Sequence, residues 1–150
     1  MTQGPVVVDS SCLISLERIG RLELLPALFD PVVATPEVSR EFGASPAWLR
    51  VATSANVALV AALCLLVDSG EAEAIALAQE QGWRIILDDR RARSVAARLG
   101  LPVIGTIGVL LRAKQAGLVG SLRPLLDDLE VSGFHISELL KTEALRLAGE

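Results

Sequence analysis

The carboxylates carry the chemistry open to this chain, and two of them are placed alike. Val6-Val7-Val8 runs directly into Asp9-Ser10-Ser11, and Arg84-Ile85-Ile86-Leu87 runs into Asp88-Asp89. Each is the pattern of a buried parallel strand delivering an acid to its C-terminal tip, the edge at which open α/β sheets bind ligands. A helix N-cap would explain one acid after a strand. Beside Asp9, however, Ser10 or Ser11 can take that role, and two adjacent acids after Leu87 exceed what a cap requires. Of that pair Asp88 is favoured, because it directly follows the apolar run. Glu71 and Glu73 fall in the first turn of a helix expected after Gly70, where the helix dipole alone favours acids. Glu41 lies one turn after Glu37 on a short helix, where a solvated face is the default.

Carboxylates gathered at one edge repel. Two like charges about 5 Å apart cost roughly 3 kcal/mol at an effective dielectric of about 20. A divalent cation removes that penalty. With two cysteines and one histidine there is no cluster for structural zinc, and an oxygen-only donor set suits a hard ion, Mg²⁺ or Mn²⁺. His135 has no serine or cysteine partner pattern and is expected at a surface or interface, so Ser/His/Asp chemistry is not expected. No GxGxxG or GxxxxGK[ST] loop is present, which disfavours nucleotide cofactors. Two other fold classes use a strand-tip aspartate. A haloacid-dehalogenase-like site needs a second acid where Ser11 stands. A receiver domain needs an acidic pair near the first strand and a lysine after the last, whereas only Lys114 and Lys141 occur.

The elements that must position these acids alternate strand and helix. Strands are expected at 6–8, 31–34, 84–87 and 102–104. Residues 48–51 read equally as a small strand or a loop within 43–56, the least legible stretch. Ser10 or Ser11 should cap a helix running to residue 19, and another short helix covers 21–29. Thr35-Pro36 starts a helix over 37–42. Alanines at 58, 61 and 62 favour helix over 57–67. Further helices are expected at 71–81, 91–99, 107–116, 122–131 and 137–147. Strands spaced by helices imply a parallel sheet of about four to five strands with right-handed crossovers and helices on both faces.

At 150 residues the chain is expected to form one domain, 1–150, large enough for a proper core. Half of it is apolar, but the longest unbroken apolar run, 57–67, is far shorter than the ~20 residues of a membrane helix. No signal peptide is evident. Cys12 and Cys64 read as reduced core thiols, so a cytoplasmic protein is expected. The net charge of −4 argues against a general polyanion-coating protein but leaves room for a local basic patch. Twelve arginines stand against two lysines, five of them between Arg84 and Arg98. With three Phe, two Trp and no Tyr, the usual base-stacking platforms of single-strand binders are not expected.

Taken in order, VVVDSSCLISLERIGRLELLPALF, ATPEVSREF, DSGEAEAIALAQEQG, IILDDRRARSVAARLGLPVIGTIGVLLRAKQAGLV and GFHISELLKTEALRLAGE span nearly the whole chain. In order and spacing they resemble a PIN domain, the nuclease fold of VapC-type toxins, and in particular a bacterial and archaeal PIN-like branch. The resemblance implies a three-layer α/β/α sandwich and an Mg²⁺- or Mn²⁺-dependent endoribonuclease. Its acids would be Asp9, Glu41 in PEVSREF, Glu71 in GEAEAI and Asp88, serving as catalytic residues and metal ligands. Asp89 stands beside Asp88 within one residue of ambiguity, and Glu73 is a nearby substitute for Glu71. Ser10 and Thr106 would support the site, with Thr106 in GTIG orienting a water or phosphate from the next strand tip. Relatives often carry Asp where Glu71 stands, and a glutamate reaches about one methylene further. Arg90, Arg91 and Arg93 are the arginines nearest the acids and would hold the RNA backbone, reading charge rather than sequence. The implied partners are RNA and an antitoxin protein. Separately, the chain has more apolar sequence than one core needs, so a homodimer built on 57–67 and the Phe134 region is expected. The alternative is a catalytically weak or inactive PIN-like module that binds RNA or an antitoxin-like protein.

Overall fold

The structure, a computed structural model, describes residues 2–150. The chain runs β1 (Val6–Val8), α1 (Ser10–Arg18), α2 (Leu24–Leu28), β2 (Val32–Ala34), α3 (Pro36–Phe42), β3 (Leu49–Val51), α4 (Val57–Leu63) and α5 (Ser69–Gln81). It continues through β4 (Arg84–Ile86), α6 (Arg90–Arg98), β5 (Val103–Ile104), α7 (Thr106–Gln115), α8 (Arg123–Val131) and α9 (Glu138–Leu147). The ambiguous stretch at 48–51 is therefore a strand, and the apolar run at 57–67 is helical only in its first part.

All five strands are parallel, in the order β3-β2-β1-β4-β5. Each strand is two or three residues long, and successive side chains point to opposite faces. Val6, Val8, Val32, Ala34 and Ile86 face one core with α1, α2, α3, α7, α8 and α9. Val7, Val33, Ile85 and Leu87 face the other, against the alanine-rich side of α5 and the small residues of α6. That double burial is why the strands read as unbroken apolar runs. The result is a three-layer α/β/α sandwich.

The strand order fixes where a ligand can sit. From β1 the chain steps outward through β2 to β3, then returns to place β4 and β5 on the other side of β1. Since crossovers keep one hand, the helices change face where the direction reverses. The loops after β1 and β4 therefore part, and the crevice outside their carboxyl ends is the switch point where open α/β sheets bind ligands. Asp9 follows β1 and Asp88 follows β4.

Candidate functional site

Asp9 occupies the N-cap position of α1, yet its side chain makes no capping hydrogen bond. This corrects the expectation that Ser10 or Ser11 caps the helix, because both serines lie inside the first turn and their hydroxyls turn to other acids. Ser10 Oγ donates to Glu41 Oε2 at 2.8 Å, and Ser11 Oγ to Asp88 Oδ2 at 3.1 Å. Asp9 is thus left aimed at the crevice, almost wholly buried. Burial pushes its carboxyl up from 3.8 to about 6, with a smaller push from the charges of Asp68, Glu41 and Asp88, partly offset by the Ser10 N–H.

Asp88 is held by its neighbours. Thr106, at the start of α7, gives its N–H to Oδ1 at 2.8 Å and its hydroxyl to Oδ2 at 2.6 Å. With Ser11 this makes three donors on one carboxylate, from two strand tips. Asp89 does something else: it caps α6, accepting the Ala92 N–H at 2.9 Å. The structure therefore divides the Asp88-Asp89 pair, with Asp88 facing the rim and Asp89 closing a helix. Cys12 lies fully buried beside Asp88 and Thr106, and desolvation pushes its thiol far up, so it is inert packing. Cys64, read as a second core thiol, is exposed.

The third side of the rim comes from α3 and α5. Asp68 caps α5, accepting the Glu71 N–H at 2.8 Å, while Glu71 Oε1 accepts the Asp68 N–H at 3.3 Å. Glu71 is buried, and desolvation pushes its carboxyl up from 4.5 to about 7, helped by the charges of Asp68, Asp89 and Asp9. Glu37 accepts a hydrogen bond from Ser69 Oγ, tying α3 to the first turn of α5. Gly70 makes this approach possible, since a Cβ there would lie 2.9 Å from Glu41 Oε1. Glu73 lies two residues along α5, roughly 200° round the helix from Glu71, and its Oε1 is buried without a hydrogen-bond partner among the described residues.

Asp68 is not singled out by the sequence patterns above. The signal that could have found it is D-x-x-E, an acid three residues ahead of Glu71 at a helix start. Ser11, likewise, appeared only as a candidate cap. Among the arginines, Arg90 and Arg91 are exposed on α6 beyond the rim. Arg93 folds back instead: its Nη1 donates to Leu87 O at 2.9 Å, and Gly105 leaves the space it fills, since a Cβ there would lie 2.7 Å from Nη1.

Among the described residues the ion pairs are Lys114–Glu150, Lys141–Asp127, Lys141–Glu130 and Arg146–Glu143. None involves an acid of the rim. Five carboxylates, from Asp9, Glu41, Asp68, Glu71 and Asp88, thus share one edge without a basic ion-pair partner. Two of them are pushed toward neutrality, the state that a nearby cation reverses. An all-oxygen donor set of this kind fits a hard divalent ion. Among the described residues no three His, Cys, Asp or Glu side chains stand close enough together to hold a metal ion as they are placed.

The sequence profile of the PIN domain matches residues 5–150. The chain belongs to the PIN domain family. No curated protein and no solved structure matches it. The PIN domain has a nuclease fold, and PIN-domain nucleases use divalent metals. No helix among the described residues is long and apolar enough to cross a membrane.

Proposed function

We propose that this PIN domain is an Mg²⁺- or Mn²⁺-dependent endoribonuclease related to VapC-type toxins. The observation that carries the proposal is the crevice between β1 and β4, where Asp9, Glu41, Asp68, Glu71 and Asp88 gather with no basic ion-pair partner. Asp9, Asp88, Glu41 and Glu71 would hold the metal, with Asp68 close by. When bound, a hard divalent ion supplies positive charge that activates water and offsets charge on the transferring phosphate.

The protein's own groups do the positioning. Thr106 and Ser11 fix the Asp88 carboxylate, so its lone pairs meet the crevice in one orientation. Ser10 does the same for Glu41 across the gap between α1 and α3. Asp9, with no capping bond to satisfy, is the acid most available to a cation. Exposed Arg90 and Arg91 would steer the RNA backbone toward the rim by charge. Cleavage of a labelled single-stranded RNA by the purified chain tests the proposal. It should require Mn²⁺ or Mg²⁺, stop with chelator and be lost in Asp88→Asn. Metal-independent cleavage would contradict it.

One observation favours the second reading, a PIN module that binds RNA or an antitoxin-like protein without cutting. Glu71 is engaged in a capping box with Asp68, so its carboxylate already has a structural task. RNA binding without metal-dependent cleavage would establish that reading. We also propose a homodimer through α4 and the turn after it, where Val57 and Leu65 are 75% and 85% exposed. A monomer in sedimentation at micromolar concentration would remove that claim.

A further inference from the structure

A cleft of about 490 Å³ opens beside the acid rim, between the end of β5, the start of α7 and the inner side of α9. Its size falls in the range of small-ligand pockets. Asp88 and Arg93 form its inner end, so it is continuous with the crevice described above; Ile104, Leu111, Phe134 and Leu140 give it largely apolar walls. Two glycines keep it open. Gly105 leaves room for Arg93 and Asp88, and at Gly108 a Cβ would meet only Ile104, at 3.5 Å. Arg93 uses Nη1 on Leu87 O, and its other N–H groups have no protein acceptor among the described residues. The cleft therefore has the Arg93 guanidinium beside the Asp88 carboxylate at one end and mostly apolar walls beyond, with His135 and Glu143 also on its lining.

We propose that this cleft receives one unpaired base of the RNA strand, adjoining the phosphate held at the rim. The proposal rests on the ribonuclease reading. A nucleotide matches both ends: its phosphate meets Arg93 while its flat base enters the apolar part against Phe134. The scarcity of aromatics excludes an extended stacking platform, but a single enclosed slot needs only one ring and aliphatic walls. Selection of single-stranded over paired RNA follows, because a paired base cannot leave its helix without the cost of unstacking. Arg93 is in this account a substrate-positioning residue for the phosphate, not a freely solvated backbone contact like Arg90 and Arg91.

Two variants fill the cleft without touching the acids. Gly108→Leu places a side chain in it from within α7, where the backbone has no left-handed requirement. Leu140→Glu adds a negative charge from α9 and should be well tolerated. Leu140 is exposed and its backbone N–H bonds Ser137 Oγ, so a substitution there leaves the α9 cap in place. The experiment compares Mn²⁺-supported cleavage of a short unstructured RNA with copies carrying one abasic nucleotide at successive positions. Base–aromatic stacking in single-strand-binding proteins is worth about tenfold or more per base. Wild type should lose about tenfold in kcat/KM for one abasic position next to the cut and little for the others. Both variants should raise KM for intact RNA by about tenfold, lose the abasic penalty, and keep wild-type Mn²⁺ affinity by calorimetry. If variants and wild type cleave intact and abasic RNAs alike, the slot does not hold a base, although the ribonuclease reading stands. The cleft would then suit a protein segment. If no RNA is cut by any form, the ribonuclease reading falls and this proposal falls with it.

Discussion

The stability of metal-free Asp9→Asn relative to wild type should rise with pH. Folding raises the Asp9 carboxyl from 3.8 to about 6, so between those values the native state holds a proton that the unfolded chain has released. Stability then falls as pH rises through that window. At about 1.4 kcal/mol per unit of pKa, the native charge costs up to about 3 kcal/mol above pH 6, against about 1 kcal/mol near pH 4.5. An asparagine keeps the shape and removes the charge, but its amide must find partners in the crevice, which costs about 1–3 kcal/mol at any pH. The constant cancels when two pH values are compared. The stability difference between variant and wild type should therefore move in favour of Asp9→Asn by about 2 kcal/mol between about pH 4.5 and pH 8. For a chain of this length that corresponds to about 4–8 °C in Tm. Urea unfolding with chelator present, at both pH values, reads this directly. A difference independent of pH, or one moving the other way, would refute the idea that Asp9 is buried as an uncompensated charge.

Other substitutions separate positioning from stability. Gly70→Ala and Gly105→Ala push on the ends of Glu41 and Arg93 rather than on backbone, so each should cost under about 1 kcal/mol in stability. Both should weaken Mn²⁺ binding or RNA cleavage by tenfold or more. Equal loss of folding and activity would show that these glycines serve packing alone. Thr106→Val removes one of the three donors on Asp88 and should cost about 1–2 kcal/mol, with a larger fall in kcat than in KM in the cleavage assay. Asp89→Ala should lose about 1 kcal/mol of stability through the α6 cap, yet keep Mn²⁺ affinity within a fewfold by calorimetry. A collapse of metal binding there would reverse the assignment of Asp88 to the rim.

The parts of the fold written as composition were legible in the chain. Val6-Val7-Val8 and Ile85-Ile86-Leu87 are buried on both faces, and a strand so placed has no polar positions to obscure it. The helix ends expected at residues 19, 81 and 99 were equally plain, each falling within one residue of the observed end. β3 was not, because Leu49–Val51 is an edge strand with two exposed residues and so has no continuous apolar signature. The site was half legible. Asp9 and Asp88 follow apolar strands directly, whereas Glu41 and Glu71 lie on helices whose surfaces carry acids for ordinary reasons. Only the family resemblance singled them out. Asp68 was hidden for a different reason: its capping role is visible in D-x-x-E, but its approach to Asp9 depends on how α5 packs against β1. Arg93 could not be told from Arg91 by sequence, since its bond to Leu87 O depends on the space left by Gly105.

The central claim is that acids from separate strands and helices form one cation site. Isothermal titration of Mn²⁺ into wild type, Asp9→Asn and Asp88→Asn, at a pH near 7.5, tests it most directly. Saturable binding to wild type is expected, with a fraction of a proton released chiefly from Glu71, whose carboxyl is pushed up to about 7, and loss of at least tenfold in affinity in each variant. Wild-type affinity retained in both variants, or no saturable binding to the wild-type chain, would contradict it.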